Sequence, residues 1–269
     1  ATEPGGGLGV ERMPGFGEFA LDRMEPDEVA QLVRSKMEQL VGEDAEIADP
    51  LVELVAARSE GNPFYVEELP NYVVAQGLDA AVAEAMEAVR LPESLHTLVL
   101  SRIDAAAEGP RRTIKVASVV GRVFPAPILP GTYEELGSLD AVLGHLDDLR
   151  TLDLVALDRE ADQAWMFKHV VTQEVAYESL PFALRGMLHG RVGEYLERTE
   201  ADDLEHAIPL LEHHYWRSDR EEKKREYLWK AAEAAQAAYA NKAAVAYYER
   251  LVPLLTDEEC LRARLALGK

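Results

Sequence analysis

Cysteine is almost missing from this sequence: Cys260 is the single one among 269 residues. No internal disulfide can form, and a CxxC metal site is excluded. A chain of this kind suits a reducing cytoplasm, and Cys260 itself reads as a small apolar helix residue. Long apolar runs are missing too. The longest span a handful of residues, such as 51–57, which Glu53 interrupts. A helix that crosses a bilayer needs about 20 consecutive apolar residues. The N-terminal stretch has neither the basic nor the apolar region of a signal peptide. Its glycines and prolines, over residues 1–17, read as an irregular linker.

Positive charge is scarce. Lys and Arg number 28 against 49 Asp and Glu, a net charge of −21. Such a chain repels phosphate backbones, so nucleic acid is not the favoured partner. A basic protein partner suits the acidic surface better. The densest basic run, Lys223-Lys224-Arg225, is flanked by Glu221, Glu222 and Glu226, which predicts a salt-bridged helix face.

Catalytic signatures are also missing. GxxxxGK(S/T) does not occur. The Gly-rich run Gly5-Gly6-Gly7-Leu8-Gly9 has no Lys to reach a phosphate and no Ser or Thr for Mg²⁺. No apolar strand ends in paired acids, and HExxH and GxSxG do not occur. His206, His213 and His214 share one acidic stretch with Glu205 and Glu212. That stretch reads as a solvated helix face, with adventitious metal binding the weaker alternative. The chain is therefore expected not to be an enzyme by itself.

What is present is mostly helix. Pro26 and its acidic neighbours open a helix in which Val29, Leu32, Val33, Met37 and Leu40 recur at helical spacing, and Gly42 ends it. A second helix is predicted over 49–58 and a third over 63–76, with Gly77 as its stop. Phe19-Ala20-Leu21 is a possible strand, and 78–90 a helix or loose loop. Further helices are predicted from Ser94, from Gly109-Pro110 to Gly121, and over 139–151, with an irregular stretch over 124–137. Residues 152–157, a turn at 158–163 and 164–167 read as a β-hairpin. Three helices followed by a hairpin is the order of a winged-helix domain; an arbitrary helical bundle with a hairpin is the alternative. After His169 the chain reads as helix throughout. Ala231, Ala234, Ala235, Ala238, Tyr239, Ala243, Tyr247, Tyr248 and Leu251 give a helix pair of tetratricopeptide type, with Pro253 near its end.

Two segments carry a resemblance. Ser59-Glu60-Gly61-Asn62-Pro63-Phe64-Tyr65-Val66-Glu67-Glu68-Leu69 resembles the GNPFYxEEL segment of signal-transduction ATPases with numerous domains. Residues 166–180, MFKHVVTQEVAYESL, resemble the FxHxLxxExxYxSL segment of the same ATPases. With Arg185, Leu188 and His189 following, this second segment is most similar to the ATPase and repeat region of bacterial class III adenylate cyclases. The likeness spans about residues 20 to 255.

The resemblance implies a mainly α chain that lacks the P-loop core. Residues 18–90 would be the helical lid of an AAA-like ATPase, 91–200 a winged helix, and 201–269 the start of helical repeats. It implies a nucleotide contact at Gly61, Asn62, Pro63 and Phe64, with Pro63 packed near the adenine, and a nucleotide-state sensor at His169. An imidazole at a helix start can donate to a phosphate and titrate near neutral pH. Local backbone bonding is the plainer role for that histidine. Glu67 and Glu68 are expected in surface or interdomain salt bridges; Phe167, Tyr177 and Leu180 in the core. No cofactor is expected in this piece itself, while ATP or ADP with Mg²⁺ is expected in a full-length parent. The implied partners are the chain's own ATPase core and effector domain, with a protein partner at the repeats. The implied function is a regulatory segment that senses ADP or ATP and relays it to an effector such as an adenylate cyclase domain. The alternatives are the DNA-binding winged helix of a LuxR-type transcriptional activator and a repeat-based interaction scaffold.

Overall fold

A computed structural model describes residues 22–42, 47–75 and 94–255. The expectations for residues 1–17, Phe19–Leu21, Gly77, 78–90 and Cys260 lie outside the described residues. The chain is mainly helical with one small antiparallel sheet. It divides into two units between Leu98 and Val99.

The first unit holds α1 (Pro26–Val41), α2 (Asp49–Ser59) and α3 (Pro63–Ala75). α1 starts on a capping box: the Glu25 backbone N–H donates to Glu28 at 2.9 Å, and Pro26 occupies the first turn. Val29, Val33 and Met37, spaced four apart, form its buried stripe. They pack with Leu51 and Val55 of α2 and with Val66, Leu69 and Val73 of α3. α3 continues through Pro70. Glu68 is only 1% exposed, so the surface role expected for it is corrected. The helix turns its 68, 69 and 73 positions inward together, and Glu68 goes with Leu69 into the unit.

α4 (Leu95–Ala105) carries the boundary between the units. In the second unit α5 (Glu108–Val120) buries Ile114, Val116, Ala117 and Val119. The stretch expected to be irregular contains β1 (Val123–Pro125) and a short helix, α6 (Ile128–Thr132). α7 (Leu139–Thr151) begins where predicted, because the Ser138 hydroxyl accepts from the Ala141 N–H at 3.3 Å. Its apolar stripe is Val142, Leu146 and Leu149. The predicted hairpin forms as β2 (Val155–Arg159) and β3 (Ala164–Phe167). β2 starts later than expected because Leu152 and Asp153, the latter at φ 61°, first reverse the chain after α7. The sheet has three strands in the order β1-β3-β2, not two.

The rest is helix: α8 (Val170–Glu178), α9 (Phe182–Thr199), α10 (Leu204–Arg217), α11 (Glu221–Ala237) and α12 (Asn241–Leu251). From α9 onward each packs on the next. The α11–α12 pair buries Leu228, Ala232, Tyr248 and Leu251 together. Of the residues that suggested the pair, Ala231, Tyr248 and Leu251 are buried, while Ala234, Ala238, Ala243 and Tyr239 are exposed. Leucine and tyrosine remove far more apolar area from water than alanine, so they set which face turns in. Among the described residues, no helix is long and apolar enough to cross a membrane.

Candidate functional site

Four of the five residues singled out by the sequence share one turn. α2 ends at Glu60, which adopts the left-handed conformation (φ 48°), and Gly61 follows at φ 75°. The Ser59 hydroxyl accepts from the Gly61 N–H, and the Ser59 carbonyl accepts from the Asn62 N–H at 2.8 Å. The Asn62 side-chain oxygen then accepts from the Phe64 N–H at 3.0 Å, capping α3 behind Pro63. The Gly61 carbonyl accepts from the Met24 N–H at 3.0 Å, which ties the turn to the chain entering α1.

This turn walls a cleft of about 500 Å³ whose lining includes Arg23, Arg58, Gly61, Asn62, Pro63 and Tyr65. Arg23 pairs with Glu60 at 3.3 Å, both well exposed. Arg58 lies in the last turn of α2. Burial pushes the Tyr65 phenol up, with Arg58 pulling against it. The cleft therefore combines a proline face and the N-terminal end of a helix with two guanidinium groups and two carboxylates, Asp22 and Glu60; among the described residues of its lining, Arg58 is the cation without an ion pair. Phe64 is half-buried beside it.

His169 belongs to the second unit. It is the N-cap residue of α8 in extended conformation (φ −124°), and its side chain does not cap the helix. Its carbonyl accepts from the Thr172 N–H at 3.1 Å, and its ring is half-buried. Of the residues expected in the core beside it, Phe167 packs on Phe124 with ring centroids 5.7 Å apart, and Leu180 is buried. Tyr177 departs from that expectation. It is half-buried, its hydroxyl meets His189 Nε2 at 3.0 Å, and Arg185 lies over its ring at 5.0 Å.

That contact leads to a buried chain that sequence reading does not detect. His189 Nδ1 and His214 Nδ1 lie 3.0 Å apart, and both rings are almost fully buried. The solvated face expected for the 205–214 stretch holds for Glu205, His206 and His213, which are exposed, and is corrected for His214 and Glu212, which point inward, Glu212 pairing with Arg250 at 2.6 Å. Burial holds the His189 imidazole down to about 3 and His214 to about 2, with nearby His213 and Arg217 adding to it. Both rings are therefore neutral at ordinary pH. A second hub is Glu197, which accepts from Tyr215, Tyr227 and Lys223, each at 2.6 Å. Burial works against its ionisation, but these three donors outweigh it and hold the carboxyl low. The run Lys223–Arg225 is indeed salt-bridged, through Lys223–Glu226 and Lys224–Glu221. Among the described residues, no group of three or more His, Cys, Asp or Glu is placed to hold a metal ion.

No family model, curated protein or solved structure matches this chain.

Proposed function

We propose that this chain is a regulatory, non-catalytic segment of a multidomain signalling ATPase. In this reading residues 18–90 form its lid, 91–200 a winged helix and 201–269 the start of tetratricopeptide-like repeats. ADP or ATP is sensed, and the state passes to an effector such as an adenylate cyclase domain. The observation that carries the reading is the Glu60–Pro63 turn. Two consecutive left-handed residues present Asn62, Pro63 and two arginines to one cleft. The turn's backbone groups are bonded within the unit, so its side chains are what the cleft is offered. The order α4, α5, β1, α7, hairpin supports the winged helix, and the α11–α12 pair supports the repeat. ATP or ADP with Mg²⁺ would be held mainly by an ATPase core that this sequence does not contain. Asn62, Pro63 and His169 would read the nucleotide from their side.

The test is calorimetric. ADP, then ATP with Mg²⁺, is titrated into this chain and into its His169→Ala variant. The expected result is silence in both, and micromolar binding that weakens in the variant once the ATPase core is supplied. Micromolar binding to this chain alone, unchanged by His169→Ala, would overturn the reading.

The DNA-binding alternative loses support at α7. Its outward residues include Asp140, Asp147 and Asp148, and Arg150 is paired with Asp147 at 3.0 Å. A gel shift at low salt should show no complex. The interaction role is supported by an open groove of about 740 Å³ along α10 and α11. Leu204, Ile208, Ala234 and Ala238 line it, and Glu205 and Glu233 give it an acidic edge. A basic peptide fits that edge.

A further inference from the structure

Arg111, Arg112 and Lys115 follow Glu108 at helical spacing, so all four lie on one face of α5. They open onto a cleft of about 320 Å³ in the second unit. Its floor is apolar: Val116 of α5, Leu180 and Pro181 between α8 and α9, and Leu184 and Leu188 of α9. In a chain of net charge −21, this lining gathers three cations with one acid, while Asp104 and Glu135 stand beside it as ion-pair partners.

Two of the cations pair with carboxylates that reach solvent. Arg112 meets Glu108 at 2.5 Å and Glu135 at 3.7 Å, and Lys115 meets Asp104 at 3.2 Å. Those three carboxylates are 74%, 66% and 49% exposed. The Arg112 side chain is itself 41% exposed and Lys115 22%, so the Arg112 pairs are the weaker and more readily exchanged ones. Arg111 donates to the Asp104 backbone carbonyl at 2.9 Å, a neutral partner. A guanidinium carries five N–H donors in a rigid fork that matches phosphate oxygens.

We propose that this cleft binds a small phosphate monoester, its apolar or aromatic body against Pro181 and Leu184 and its phosphate on Arg111, Arg112 and Lys115. The floor alone would take any apolar body. Three cations on one helix face favour a dianion over a neutral group, and a phosphate ester carries close to two negative charges at neutral pH. The paired guanidinium groups supply the charge-assisted bonds that fix its orientation. The proposal is independent of the nucleotide reading, which concerns other residues.

The probe is phenyl phosphate, titrated into the chain by calorimetry and by saturation-transfer NMR, with inorganic phosphate and phenol as comparators. Phenyl phosphate should bind with a dissociation constant of about 1 mM or tighter. Inorganic phosphate and phenol should each bind at least about tenfold more weakly, because each lacks half of the recognition. An Arg111→Gln/Arg112→Gln double variant and a Lys115→Gln single variant should each weaken phenyl phosphate. The charge control Arg150→Gln, on α7, should leave it unchanged. Circular dichroism melts establish that each variant is folded, and Lys115→Gln keeps the test alive if the double variant is not. No saturation up to about 10 mM overturns the proposal. So does equal binding by the folded variants, or inorganic phosphate matching phenyl phosphate.

Discussion

Replacing Gly61 by alanine is the sharpest test of the turn that carries the functional reading. Gly61 sits at φ 75°, where a residue with a Cβ costs about 1–2 kcal/mol. A Cβ built there would lie 2.7 Å from the Met24 carbonyl oxygen and 2.9 Å from Arg23 Cβ. One of those contacts is backbone, so the turn and the entry to α1 have to move apart. That movement breaks the Met24 N–H bond to the Gly61 carbonyl, worth about 0.5–1.5 kcal/mol. Gly61→Ala should therefore destabilise the first unit by about 1.5–3.5 kcal/mol, the sum of the two terms. The same substitution at Gly144 has the opposite sign. Gly144 lies inside α7 with nothing within 4 Å of its Cβ position, so alanine there should stabilise by about 0.5–1 kcal/mol. Urea unfolding followed by circular dichroism gives the free energies, and amide exchange at Val66 and Leu69 localises the Gly61 effect to the first unit. Trp165, Trp216 and Trp229 all lie in the second unit, so tryptophan fluorescence reads the Gly144 change. A Gly61→Ala loss below about 0.5 kcal/mol, the scale of an ordinary surface substitution, would refute the strained turn.

Three further outcomes follow from the second unit. His189 and His214 stay neutral when folded but gain protons when unfolded as pH drops below about 6.5. Stability is therefore full above about 6.5 and falls toward pH 3, by up to about 1.4 kcal/mol per pH unit for each ring. Urea midpoints read by fluorescence from pH 7 to 4 should show this fall, and His214→Phe should make it shallower; an unchanged slope would dismiss the buried pair as its cause. Glu197→Gln removes the charge that three donors share and should cost about 1–3 kcal/mol in the same assay. Gly193→Ala would place a Cβ 2.6 Å from the Tyr215 ring, which is stacked on Tyr227 and tied to Glu197, so about 1–3 kcal/mol of overpacking is expected.

Which features could be read from the sequence depends on how far apart their parts lie. The start of α7 is legible because its cap, Ser138, stands next to its first residue and its stripe repeats every three to four positions. The Ser59–Phe64 turn is legible for the same reason: its hydrogen bonds join residues two or three apart. β1 is invisible because three residues between Gly121 and a strand-ending Pro125 carry no period. It exists only because β3, about forty residues on, offers an edge through the Phe124–Trp165 pairing. Within α11 and α12 the alanines recur on more than one face. Periodicity alone therefore picked out Ala234 and Ala238 along with the buried Ala231, while Tyr227 and Leu228 set which face turns in.

The candidate sites divide along the same line. His214 looks solvated in sequence because acids and polar residues flank it; the ring that buries it, His189, lies 25 positions away. Arg111, Arg112 and Lys115 look like ordinary ion-pairing residues of one helix face until the chain near Leu180–Leu188 supplies an apolar floor beneath them. A motif of contiguous residues can announce a backbone shape, because the shape is made by those residues. A cleft with charge on one wall and apolar surface on another needs two elements, and only packing decides whether they meet. The phosphate-ester cleft is therefore the part of this molecule that its sequence was least able to disclose. Its recognition chemistry rests on tertiary contacts between α5 and the α8–α9 region, and variants on either element test it equally.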